Sequence, residues 1–83
     1  MPVDLRLYAI VDPEHAGGRA LPELAKLLAA GGATLVQLRD KRSDTRVMVE
    51  TARAVKAALK PFRVPLLVND RVDVALAAQA DGV

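Results

Sequence analysis

Thr34-Leu35-Val36-Gln37-Leu38-Arg39-Asp40-Lys41 decides how this chain folds. The run begins as an apolar strand and ends with polar side chains on alternate positions: Gln37, Arg39 and Lys41. Successive side chains on a strand point to opposite faces. The spacing therefore predicts those three on one face, with Val36 and Leu38 on the other. A buried strand has no structural reason to carry an amide and two cations on one face at its C-terminal end. An anion site at the mouth of a barrel has one.

Outward from this strand the same unit recurs. Leu5 to Val11 reads as an apolar strand closed by Asp12-Pro13, followed by a polar loop from Glu14 to Arg19. Leu21 to Ala30 carries apolar residues at 21, 24, 25, 28 and 29, the stripe of a helix, with Pro22 in its first turn and Gly31-Gly32 at its end. The central strand spans Thr34 to about Arg39. Ser43 or Asp44 then caps a second helix, with stripe Met48, Ala52, Val55 and Leu59, stopped by Pro61. A third strand covers Val64 to Val68, with Pro65 at its start, where a missing N–H is tolerated. Asn69-Asp70 leads into a third helix from Val72 to about Ala80. Asp81-Gly82 forms the next turn, and Val83 is placed to open a fourth strand.

Strands starting near 5, 34 and 64 recur at spacings of 29 and 30 residues. Continuous apolar strands alternating with amphipathic helices imply parallel pairing through helical crossovers. Both doubly wound sheets and eight-stranded barrels are built this way. A chain stopping at a fourth strand leaves an edge unpaired, so the expectation is an incomplete domain whose natural protein continues.

Composition narrows the function. The 83 residues are 52% hydrophobic and 27% charged, which makes one small core and not two domains. Cysteine is absent, excluding disulfides and thiolate metal sites. The net charge of +2 is spread evenly: residues 1–42 and 43–83 each hold 6 Lys/Arg and 5 Asp/Glu. With only Tyr8 and Phe62 as aromatics there is no stacking platform, so nucleic acid is not an expected partner. No apolar run approaches membrane-spanning length, and Asp4 and Arg6 interrupt any signal-peptide core. The expected location is cytoplasmic, with no membrane partner.

In parallel α/β folds ligands bind at the carboxyl ends of the strands. Here those ends carry Asp12, then Gln37, Arg39 and Lys41, then Asn69 and Asp70. Arg39 offers a planar fork and Lys41 a mobile point charge, a combination suited to phosphate or diphosphate, or equally to pairing with Asp40, Asp44 or other rim carboxylates. Gln37 both donates and accepts, which suits a polar heterocycle. Asp70 could hold Mg²⁺ beside substrate phosphates, or cap the third helix. Asp12 fits the Asp-Pro turn, Tyr8 the core at the edge of a pocket, and His15, the single histidine, a solvated loop. Gly17-Gly18 lacks the pattern of a phosphate loop.

Three stretches together resemble the thiamine-phosphate synthase family. They are Leu7-Tyr8-Ala9-Ile10-Val11-Asp12-Pro13, the run from Gly31 to Lys41, and Val68-Asn69-Asp70-Arg71-Val72-Asp73-Val74-Ala75-Leu76-Ala77, closing with Ala80-Asp81-Gly82-Val83. The resemblance implies an α/β fold, a parallel (βα)8 TIM barrel of which residues 1–83 are the N-terminal portion, about three βα units of a single domain. It implies a transferase of thiamine biosynthesis. That enzyme joins 4-amino-2-methyl-5-(diphosphooxymethyl)pyrimidine to a thiazole phosphate, giving thiamine phosphate and pyrophosphate. The implied substrate-binding residues are Gln37 on the pyrimidine, with Leu38, Arg39, Asp40, Lys41 and Asn69 around the diphosphate. Asp70 is the implied first Mg²⁺ ligand. The implied chemistry is dissociative, with pyrophosphate leaving before the thiazole nitrogen attacks. Asp40 stands where many members have Glu, and Val11 where Thr is common. The second metal carboxylate and the thiazole-phosphate loops of the family lie beyond Val83, so these residues alone are expected to be inactive. Three rival readings remain: a thiazole tautomerase of the same superfamily, a non-catalytic half-barrel whose open sheet edges drive self-association, and an open doubly wound phosphate-binding protein, which would need a strand-order reversal.

Overall fold

A computed structural model describes residues 7–41, 43–69 and 71–82. Three strands, β1 (Tyr8–Val11), β2 (Leu35–Leu38) and β3 (Leu66–Val68), alternate with three helices, α1 (Leu21–Ala30), α2 (Thr45–Leu59) and α3 (Val72–Ala78). The strands form one parallel sheet in the order β1-β2-β3. No strand-order reversal occurs among the described strands, so the switch point that defines a doubly wound sheet is absent from them. α1 packs on α2 and α2 on α3, a single helical layer.

The register explains the layering. Ala9, Val36 and Leu66 form one row across the sheet, and Val11, Leu38 and Val68 the next but one. These side chains join Ala25, Ala29, Met48, Ala52, Val55, Leu59 and Val74 in one core between sheet and helices. The apolar stripes of α1 and α2 therefore fall where the 3.6-residue period puts them. Burial of each Val or Leu in this layer contributes about 1.5–3 kcal/mol. The opposite sheet face carries no helix, and there Tyr8 and Ile10 are 42% and 53% exposed. Tyr8 is thus not a core residue, contrary to its apolar setting in sequence, because it lies on the helix-free side.

The strands are shorter than their apolar runs, though pairing extends past their ends. Thr34 N–H donates to Leu7 O at 2.9 Å, and Thr34 Oγ1 accepts from Leu7 N–H at 3.1 Å. Pro65 takes part through its carbonyl, which accepts from Val36 N–H at 3.1 Å, so its missing donor costs nothing there. Beyond β3, Gly82 makes a parallel bridge to Leu67, and its carbonyl accepts from Val68 N–H at 3.0 Å. Val83, expected to open a fourth strand, lies outside the described residues, as do Leu5, the proposed metal ligand Asp70 and the side chain of His15.

Helix ends follow local chemistry. Asp44, not Ser43, caps α2, its carboxylate accepting from Val47 N–H at 2.9 Å. Ser43 N–H instead donates to Asp40 Oδ1 at 3.0 Å. α1 closes at Gly32, whose φ of 110° only glycine adopts readily. α3 stops at Ala78, two residues earlier than its apolar pattern, because Gln79 turns left-handed (φ 58°). The segment after Asp12 is not wholly irregular, since Pro13–His15 form a single 3₁₀ turn.

Replacing Asp44 with Ala should lower stability by about 1 kcal/mol in a urea melt, with Asp44→Ser close to wild type. An unchanged midpoint for Asp44→Ala would show that the α2 cap is not stabilising.

Candidate functional site at the carboxyl ends of the strands

Because the strands are parallel, the residues that follow them emerge at one end of the sheet. Beyond the row Val11, Leu38 and Val68 come Asp12, Arg39 and Asn69. Backbone hydrogen bonds hold this rim row together: Arg39 N–H donates to Val11 O and Asn69 N–H to Leu38 O, both at 2.9 Å. Residues 27 and 30 positions apart in sequence thereby become neighbours.

Gln37 lies on the helix-free face, across from Ile10 and Leu67 and one step below the rim. It is only half-buried, so its amide is open to a ligand. Leu38 has its side chain in the core, 2% exposed, so only its backbone serves the rim. Arg39 extends to Asp12, Nη1 to Oδ2 at 3.5 Å, with the arginine side chain 40% exposed and the aspartate 10%. The Asp12 carboxylate also accepts from Glu14 N–H at 2.8 Å through Oδ1. Asp12 thus does two things: it makes the expected Asp-Pro turn, and it orients Arg39 while leaving part of the guanidinium accessible.

Asp40 turns away from the pattern. Its carboxylate takes the Ser43 N–H and so shapes the entry to α2. Lys41 is exposed and lies three residues beyond β2, where the chain is no longer extended strand. Strand alternation therefore orients Gln37 and reaches Arg39 but does not fix Lys41, which the three-on-one-face prediction included. A narrow cleft lined by Leu38, Asp40, Met48, Val68, Asn69 and Arg71 separates the two loops that follow β2 and β3.

Arg71 is a contributor that no spacing rule marks. Its Nη2 donates to Thr45 Oγ1 at 2.8 Å and its Nη1 approaches Met48 Sδ at 3.3 Å, both on α2. Nε and Nη2 also fork onto the Asp73 carboxylate at 3.0 and 2.8 Å. The donated hydrogen bonds lower the Asp73 carboxyl to about 2, and the same contact raises the Arg71 guanidinium. The only hint in sequence is an Arg just before a helix with an Asp two residues on.

A larger groove, about 440 Å³, lies between α2 and α3, lined by Arg53, Lys56, Lys60 and Gln79 among others. Size would favour it over the rim. Two of its three cations are already used, however: Arg53 donates to Ala77 O at 3.0 Å and Lys56 to Gln79 O, satisfying the carbonyls at the C-terminus of α3. Among the described residues no three His, Cys, Asp or Glu side chains cluster to hold a metal ion. No described helix is long and apolar enough to cross a membrane.

The Asp73 contact has a pH signature. A carboxyl depressed on folding adds stability above its unfolded value, about 3.9, and loses that stability as pH falls through about 2. In an NMR titration Asp73 should have its midpoint near 2, and Arg71→Gln should return it toward about 3.9. A midpoint unmoved by that substitution would contradict the contact.

Known proteins resemble this chain in sequence and in fold. The thiamine monophosphate synthase family matches residues 7–83. Thiamine-phosphate synthase from Agrobacterium fabrum is 56% identical over 81 residues, covering 98% of this chain and 37% of the relative. The protein of that name from Xanthobacter autotrophicus is 52% identical over 82 residues, covering 99% of this chain and 39% of its own. The solved thiamine phosphate pyrophosphorylase from Pyrococcus furiosus superposes with a TM-score of 0.84 at 37% identity, over 95% of this chain and 38% of that one. The chain therefore spans about two fifths of the length of the relatives it matches. With its parallel sheet, its polar rim and these matches, the chain belongs to the thiamine monophosphate synthase family.

Proposed function

We propose that this chain supplies the pyrimidine-diphosphate side of a thiamine-phosphate synthase, and that its three βα units open a (βα)8 barrel. The single observation that carries this reading is the rim row Asp12, Arg39 and Asn69 beside Gln37 on the helix-free face. In a barrel that face is the interior. Tyr8 and Ile10 then line a pocket rather than meet a second copy of the chain.

The reaction breaks the bond between the exocyclic methylene carbon and a diphosphate oxygen, and the electron pair leaves with pyrophosphate. The thiazole nitrogen then bonds to that carbon. Negative charge grows on the leaving group, so oriented donors there stabilise the transition state more than the substrate. Arg39 is suited to fork onto the diphosphate while Asp12 fixes its orientation, and Lys41 and Asn69 add a point charge and an amide. The Gln37 amide complements the ring nitrogen and amino group of the pyrimidine.

Asp70 is the residue proposed to hold Mg²⁺. Magnesium is often held by one or two chain carboxylates together with substrate phosphate oxygens, which is the arrangement proposed for Asp70. When bound, the ion neutralises charge on the pyrophosphate. The partners are two phosphorylated small molecules, and the proposed location is the cytoplasm. The thiazole-phosphate site is assigned to the part of the family's length that this chain does not match.

Calorimetric titration with inorganic pyrophosphate and Mg²⁺ tests the reading. Arg39→Lys should weaken binding about tenfold, the loss of one charge-assisted hydrogen bond, and Arg39→Ala more. Equal affinity in all three proteins would overturn the assignment. The 83-residue chain alone should form no thiamine phosphate from both substrates, and turnover by it would contradict the division of sites.

A further inference from the structure

We propose that Arg71 is a positioning residue that clamps the loop after β3 to the loop after β2, so that Asn69 is held at the rim. This rests on the reading of Asn69 as a diphosphate ligand.

The start of α3 has no side-chain cap hydrogen bond from its N-cap residue, Arg71, whose backbone is non-helical (φ −127°, ψ 86°). Helices that begin without a cap fray from that end. The Arg71 guanidinium has no acceptor to offer the N–H groups of that end, but it ties the first turn to a neighbouring helix. One side grips Asp73 in the first turn of α3, at 3.0 and 2.8 Å. The other side reaches 26 residues back to Thr45 Oγ1 at 2.8 Å, and to Met48 Sδ one turn further along α2. Thr45 directly follows the cap Asp44, and Asp40 holds the same loop through Ser43 N–H. One side chain thereby joins the first turns of the two helices that carry the chain away from Arg39 and from Asn69.

An exposed Arg–Asp pair alone contributes little. The distinguishing feature is that one planar fork serves groups on two helices at once. A lysine keeps the charge but presents a single ammonium, which cannot span both. Arg71 lines the inter-loop cleft together with Asn69, two residues before it in the chain. Asn69 is tied to β2 by its N–H bond to Leu38 O at 2.9 Å.

Residue-resolved amide hydrogen exchange on the 83-residue chain tests the clamp without any ligand. Arg71→Lys, and independently the near-isosteric Thr45→Val, should speed exchange at the Asn69 amide about tenfold, while Val36 and Leu38 change less than about twofold. Pyrophosphate affinity, measured with Mg²⁺, should fall in parallel. Unchanged Asn69 exchange in both variants, or equal acceleration at every amide, would overturn the clamp. If the wild type binds no pyrophosphate, the functional reading fails while the exchange data still decide the role of Arg71. If Arg71→Lys does not fold, exchange in Thr45→Val decides between clamp and no clamp.

Discussion

Burial of Val36 and Leu38 beneath the helices is the constraint on which the rest depends. A strand has a side-chain period of two, so fixing those two residues on the helical side sends Gln37 to the other. A one-residue slip in the register of β2 would exchange the faces. Two apolar side chains would leave the core, and an amide without a partner would enter it at a cost of about 1–3 kcal/mol. The polar residue is thus held in place by its apolar neighbours, and the site inherits its geometry from the core.

Parallel pairing extends that order to the rim. Each strand delivers its last residues to the same end, and the register aligns Asp12, Arg39 and Asn69 in one row. The Asp12 carboxylate is largely buried, yet it is shared between a turn amide and an arginine. Such sharing restrains a long flexible cation without neutralising its whole surface. Preorganisation of this kind matters where charge develops during a reaction, because no energy is then spent reorienting donors. Arg71 works one layer further out, tying helices rather than touching the row.

Much of the fold was legible from residue patterns. The stripes of α1 and α2 are periodic and long, and α1 begins and ends where Pro22 and Gly31-Gly32 place its limits. The parallel order followed from three apolar runs at near-equal spacing. Helix ends were less readable, because Arg63 and Gln79 adopt left-handed backbone that their side chains do not advertise. Tyr8 was misplaced since apolar character cannot say which sheet face a helix will cover. At the site, Gln37, Arg39 and Asn69 follow from alternation and strand polarity, whereas Lys41 lies beyond the strand that would orient it. Arg71 was hidden for a different reason: its partners are 23 and 26 residues away, and no period in the sequence links them.

Central to the proposed function is that a diphosphate anion would meet the chain at the carboxyl ends of its strands. Backbone and side-chain NMR of the labelled chain, recorded while pyrophosphate and Mg²⁺ are added, tests it most directly. The largest shifts should fall on Gln37, Arg39, Lys41 and Asn69. Shifts concentrated instead on Arg53, Lys56, Lys60 and Arg63, around the groove between α2 and α3 and the opposite ends of the strands, would contradict it.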